Sequence, residues 1–419
     1  MMSGSSWTST TMCFPQWRTL MVAVAILSSP VWAADWPRFL GPKANSISSE
    51  TGINKDWSAK PPKEQWRVPM TDEGFSGPAI RGRIVYLHDH VGEEDVIRAL
   101  EVGTGKEIWR FTYPEAGDEN DGFTRATPTI EGDYVYTISR SGLVHCIKAA
   151  DGGVVWRADV MKDHGGEPPR WGAANSALID GDRLIAIAAG ENSHVVALDK
   201  KTGKKIWAGG GTDIAGYGTP AVAVLDGKKQ YLIFTGKSFI GVAADDGRLL
   251  WRHPWETRLD SNACAPIIVG DNLVWIASGY RRGCALLRIE GDQITELWSD
   301  KRITPHWSSP VFLDGHIYTT TPPGYLVCVE AETGKEKWRS KGTARGFEHG
   351  GLCAVDGTLI VIEGNTGNVV QVAISPQGYQ ELGRINPLES SRCWVAPVVA
   401  DGKLYVRSPK ELVCLDITQ

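Results

Sequence analysis

Little in this chain of 419 residues points to a familiar chemistry, and each absence closes off a class. Charge of one sign is missing: 44 Lys and Arg stand against 49 Asp and Glu, a formal net charge of -5. That balance gives no clustered basic face of the kind nucleic acid requires. Long apolar runs are missing too, since "TLMVAVAIL" is too short to span a bilayer, so no transmembrane anchor is expected. The stretch "WAGGGTDIAG" has glycines but neither a Lys-Ser/Thr pair nor a following helix, which excludes a phosphate loop. No nucleophile elbow or kinase signature appears. No two of the eight cysteines are adjacent.

What is present begins with an export signal. Arg18, the apolar run and the small-residue site "SPVWAAD" predict a signal peptide over residues 1–33, cleaved after Ala33. The expected product is exported, periplasmic or extracellular, and soluble. Cleavage removes Arg18 and no acid, which takes the formal charge from -5 to -6. Cys13 lies upstream of the apolar run and no cysteine sits just past the cleavage site, so a lipid anchor is not expected. Seven cysteines then remain, an odd number that leaves at least one unpaired or intermolecular. Cys146, Cys328 and Cys414 occupy a slot held elsewhere by Ala99 and Ala197, and so read as small buried hydrophobes.

Glycine, at 47, and tryptophan, at 17, are abundant, and their spacing is regular. The pattern of small residue, apolar residue, acid, glycine turn and tryptophan recurs as "ALEVGTGKEIW", "CIKAADGGVVW", "ALDKKTGKKIW", "VAADDGRLLW", "LRIEGDQITELW" and "CVEAETGKEKW". These end at Trp109, Trp156, Trp207, Trp251, Trp298 and Trp338; a seventh copy has Leu382 there, and an eighth breaks off at the C-terminal "CLDITQ". Its missing half is "KEQWRVP", with Trp66, near the other end of the chain. The period runs from 40 to 51 residues. Each copy follows a second hairpin, built around Gly-Asp or Asp-Gly in all but the first, such as "VAPVVADGKLYVRS".

Four strands per repeat at that period predict an all-β chain: an eight-bladed β-propeller of four-stranded antiparallel blades, over residues 60–419. The N-terminal strand completes the C-terminal blade, which removes free sheet edges. Residues 34–59 read as an irregular lead-in packed on the outside. Trp66, Trp109, Trp156, Trp207, Trp251, Trp298 and Trp338 are expected to dock each blade on its neighbour, each with one indole N–H to donate.

The unit Ala-x-Asp-x-x-Thr-Gly-x-x-x-Trp, nearly whole at Ala197–Trp207 and with Cys in place of Ala at Cys328–Trp338, resembles the repeat of the PQQ-type propellers. That family includes quinoprotein alcohol dehydrogenases and the outer-membrane assembly factor BamB. The resemblance implies the eight-bladed fold and leaves function open, because its members do unrelated things.

A binding site is expected where the loops entering the first strand of each blade converge on the axis. Those loops carry Arg125, Arg170, Trp171, Asn175, Tyr217, Arg258, Asp260, Asn262, His306, Trp307, Arg345, Glu348, His349, Arg392 and Trp394. The arginines would draw an anionic small molecule, or would pair with Asp260, Glu348 and their neighbours. No metal set stands out; His88 and His90, on one face of a strand, could ligate a transition ion with Glu93 or Asp95.

Two functions are compatible with this. One is a non-catalytic exported binding module for a protein or envelope component, as in BamB, with no cofactor. The other is an oxidoreductase with PQQ and Ca, whose calcium would draw on oxygens such as those of Asp260, Asn262 or Glu348. The resemblance implies for the dehydrogenases a vicinal disulfide against the cofactor, which this chain cannot form; it also lacks the lipid-acceptor cysteine of BamB.

Overall fold

A computed structural model describes residues 1, 2, 4, 34–116, 122–341, 346–388 and 390–418; the expected signal peptide, apart from residues 1, 2 and 4, and Arg345 lie outside them. Every described strand belongs to one of eight four-stranded sheets. Blades 1 to 7 are hairpin ladders in chain order, over residues 79–114, 129–159, 178–209, 221–254, 267–300, 311–339 and 352–385. Blade 8 takes three strands from 398–416 and its outermost from Lys63–Pro69, which pairs antiparallel with Glu411–Asp416. The ring is an eight-bladed β-propeller closed by its two ends. No α-helix occurs among the described residues, only two short 3-10 turns, Lys162–His164 and Arg258–Asp260.

The repeat pattern has a packing cause. On the third strand the small residue faces the tryptophan of the fourth: Ala99 opposite Trp109, Cys146 opposite Trp156, Cys328 opposite Trp338, Cys414 opposite Trp66. From the second strand Tyr86, Tyr136, Tyr318 and Tyr405 lean toward those same indoles, with ring centroids 5.9 to 6.3 Å apart. A larger residue between the two rings would overpack the blade. Alanine and cysteine therefore interchange there, and all seven described cysteines are buried and unpaired. Burial pushes the thiols of Cys146, Cys264 and Cys414 up to about 12. The native protein is expected to give no reaction with Ellman's reagent at neutral pH, and seven thiols from residues 34–419 in denaturant; a thiol titrating in the native state would contradict this burial.

Docking holds for most of the tryptophans. The indole N–H of Trp66, Trp109, Trp156, Trp298 and Trp338 donates to a turn carbonyl of the next blade, at Val102, Ala149, Lys200, Ala331 and Ser375, over 2.7–3.0 Å. Trp207 rests on the next blade without an indole partner. Trp251 departs from the expectation: its N–H donates to Gln230 Oε1 in its own blade, at 2.7 Å. The reason lies in blade 5. There the third and fourth strands meet in the tight turn Gly291-Asp292, so the longer turn that receives the other tryptophans is absent. In blade 7 the register places Gly383, not the expected Leu382, in the tryptophan slot opposite Gln371, and Trp57 of the lead-in is buried against that glycine.

The lead-in does not lie on the outside. Its backbone pairs with the innermost strands at Ile80, Ile130 and Ala354 through Trp36, Pro37, Ser46 and Ser48. These strands, three to four residues long, turn an unpaired edge to the axis, and a passing chain satisfies those edges. It then leaves along blades 7 and 8, where Asn54 accepts from Gln371 and Gly52 donates to Asp356.

Candidate functional site

The axis holds a cavity of about 590 Å³. Its wall is made by the loops entering the blades, with Phe75, Arg125, Trp171, Tyr217, Trp307, Arg392 and Trp394, and the lead-in contributes Trp36, Phe39 and Leu40. Size and lining suit a small-molecule or side-chain pocket: mostly apolar, with few polar groups. No Asp or Glu is among its lining residues.

One wall is a continuous aromatic cluster. Trp394 stacks on Phe75 with centroids 4.8 Å apart and planes 17° from parallel, and lies 4.4 Å from Trp307. Arg392 sits over both Phe75 and Trp394 at 5.2 Å, and Arg125 over Phe75 at 5.4 Å, so two guanidinium groups share one phenyl ring. Arg392 also pairs with Glu73, and Arg125 donates Nε–H to the Trp171 carbonyl at 2.9 Å. Opposite, Trp171 lies 5.7 Å from Tyr217, whose hydroxyl accepts the Trp171 N–H; burial pushes that phenol up to about 12, so it stays protonated.

The structure thus gathers Arg125, Trp171, Tyr217, Trp307, Arg392 and Trp394 around the cavity. The other mouth residues serve elsewhere. Arg170 is exposed and covers the Trp171 ring at 5.6 Å, and Arg258 is exposed on its 3-10 turn. Asp260 pairs with Lys237 at 2.6 Å. Asn262 is fully buried: its amide donates to the carbonyls of Thr235, Gly236 and Trp255 and its oxygen accepts from Ser278. His306, Glu348 and His349 stand beside Trp307 as a separate cluster. Sequence reasoning missed Phe75, although "GFSGP" opens blade 1 as "GFTRATP" opens blade 2, and missed Trp36, Phe39 and Leu40, for which no repeat supplied a signal.

His88 and His90 do converge, on Asp95 and not on the exposed Glu93. His88 Nε2 and the Tyr113 hydroxyl donate to Asp95 Oδ2 at 2.9 and 3.0 Å, and His90 Nδ1 to Oδ1 at 2.9 Å. The second His90 nitrogen meets the Gly92 carbonyl at 2.7 Å. Both nitrogens of His90 face acceptors, which demands the imidazolium. Burial alone would lower its pKa, but the Asp95 hydrogen bond and the Gly92 carbonyl raise it. The arrangement is an ion pair inside blade 1: both His90 nitrogens and His88 Nε2 are engaged, and His88 Nδ1 is buried without a hydrogen-bond partner.

The fold and its axial pocket define a PQQ-repeat propeller. Residues 92–340 and 291–419 match the family described as outer membrane protein assembly factor BamB, and the chain belongs to that family. It is 23% identical over 336 residues to the outer membrane protein assembly factor BamB of Escherichia coli K12, covering 68% of this chain and 81% of that one. Among solved structures it resembles BamB from Moraxella catarrhalis, with 15% identity, a TM-score of 0.62 and coverage of 85% and 97%. A europium-containing methanol dehydrogenase is similar to the same degree, with 13% identity, a TM-score of 0.66 and 89% of each chain covered. Both likenesses concern the fold alone. Among the described residues no helix is long and apolar enough to cross a membrane.

Proposed function

We propose that this chain is an exported, non-catalytic binding module of the cell envelope, which receives a protein partner at its axial mouth. The observation that carries the reading is the composition of the pocket: four tryptophans, two phenylalanines, a tyrosine and two arginines, without a carboxylate. Aromatic side chains and arginine are the groups that anchor protein interfaces. The family match and the BamB relatives support the same reading.

The dehydrogenase alternative asks for calcium, which takes six to eight oxygen ligands, carboxylates among them. The pocket lining offers hydroxyls but no carboxylate, Asn262 has spent its amide on backbone and Ser278, and Asp260 is held by Lys237. These residues do not fit a calcium-bridged quinone.

Titration of the purified protein with PQQ and calcium should leave the unfolding temperature unchanged, where a ligand at 100 times its Kd would add about 2.7 kcal/mol. A photo-crosslinker replacing Trp307 should give a discrete protein adduct in the producing cell, and one replacing the exposed Ile108 on the flank should not. Stoichiometric quinone binding with dye-linked oxidation of an alcohol would overturn the proposal.

A further inference from the structure

At the edge of the mouth, two loops bring together a donor set unlike anything else among the described residues. His306 comes from the loop entering blade 6, and Glu348 and His349 from the loop entering blade 7. One ligand atom from each lies within 4.8 Å of the other two, and His349 Nε2 is 3.8 Å from Glu348 Oε1. All three side chains are half-buried, so solvent reaches them.

The surrounding residues hold these groups where they are. His306 packs on bare backbone: a Cβ at Gly279 would come within 2.1 Å of its ring. Tyr280 and His349 both stack on His306, at 5.2 and 4.7 Å. His349 has a left-handed backbone, φ 64°, an uncommon conformation for a side chain of this size and one that concentrates at functional sites. Its loop is pressed onto its own blade, since a Cβ at Gly364 would lie 2.6 Å from the Glu348 carbonyl oxygen. The Nδ1 atom of His306 is buried without a hydrogen-bond partner, which is unfavourable unless something occupies it.

We infer that His306, His349 and Glu348 form a binding site for a divalent first-row transition ion such as zinc, bridging the loops of blades 6 and 7. Two imidazoles and one carboxylate are the donors such ions prefer. With metal–ligand bonds of about 2.0–2.2 Å, tetrahedral donors stand about 3.4 Å apart, so the cluster contracts by roughly 1 Å or less per atom on loading. Three protein ligands leave a fourth position for water or for an oxygen of a partner. The His349 ring lies 4.5 Å from Trp307 and 5.6 Å from Trp394, so the ion would fix the two tryptophans that wall the axial pocket. The inference stands independently of the binding role proposed above.

The test is competition of the full-length purified protein with a chromogenic chelator for zinc, alongside cobalt substitution. One ion per chain is expected. Its affinity should fall at least about 10-fold in His306→Ala, Glu348→Gln and His349→Asn, asparagine being chosen because it tolerates the left-handed backbone. His316→Ala, on the far hairpin of blade 6, should bind as the unaltered protein does. Cobalt should give visible d–d bands without the near-ultraviolet thiolate charge-transfer band that the buried cysteines would produce. That spectrum needs no variant, so it decides the matter even where a substitution prevents folding. No binding at high micromolar zinc, a thiolate band, or an affinity unmoved by all three substitutions would overturn the assignment.

Discussion

Replacing Asp95 with alanine is expected to destabilise the protein by about 3–5 kcal/mol, the cost of breaking a buried ion pair from one side. The residue has no exposed surface and accepts from His88, His90 and Tyr113 together. Its removal strands the His90 cation in the interior of blade 1, where Phe123 stacks on it at 4.0 Å. Asp95→Asn, which keeps the volume, should cost less than the alanine variant yet point an amide N–H at one of the same three donors. The pH dependence separates charge from packing. Burial would raise the Asp95 pKa, but the charge of His88 and the hydrogen bonds of His88, His90 and Tyr113 hold it well below the carboxylate range. A depressed carboxylate contributes stability above its unfolded pKa of about 3.9 and loses it as pH falls through the folded value. The raised imidazole of His90 contributes below its unfolded value of about 6.5 and loses its share as pH rises through the folded one. The gap in denaturant midpoint between unaltered protein and Asp95→Asn should therefore be widest between about pH 4 and 6.5 and narrow on both sides. A gap constant from acid to alkaline pH would show that the pair is not charged.

How much of this could be read from the chain depends on whether the information repeats. The propeller and its closure could be, because a tryptophan, a small residue and a glycine turn recur at each blade and the two half-copies complement one another. The Trp251 exception was visible in the letters "IEGDQITELW", where the Thr-Gly turn is missing, although its consequence needs the register of blade 5. Residues that occur once were harder. Trp36, Phe39 and Leu40 belong to no repeat, and a segment without periodicity gives no sign that it caps three inner strands and floors the cavity. Asn262 was drawn into the candidate site by its loop, whereas its amide is spent on holding that loop together. Polar residue type in a loop marks proximity to the axis; only geometry separates the groups that face a ligand from those that tie the backbone.

The blade junctions give the second large effect, and blade 5 supplies its control. Trp156 lies over Gly203 of the next blade, whose φ is 72°, and a Cβ built there would stand 2.6 Å from the indole Cε3. Gly203→Ala must therefore both strain the backbone and lift the tryptophan, at about 2–4 kcal/mol combined. Trp156→Ala is expected to cost about 3–5 kcal/mol, chiefly from the lost plate, with the loss of one of the two donors, indole and Tyr136 hydroxyl, at the Lys200 carbonyl. Since both changes act on one contact, the double variant should fall short of their sum by about 0.5–3 kcal/mol. Gly291→Ala has a similar backbone, φ 63°, with only the Asp226 carboxylate near at 3.9 Å, so it should lose only about 1–2 kcal/mol of backbone strain. Because each blade touches only its neighbours, the loss at Gly203 should surface first as faster hydrogen exchange in the strands Val154–Asp159 and Ser193–Asp199, which flank that junction. Equal costs for Gly203→Ala and Gly291→Ala, with Trp156→Ala fully additive to the first, would mean that the tryptophan does not dock on the glycine and that the junction is held by its aliphatic strands alone.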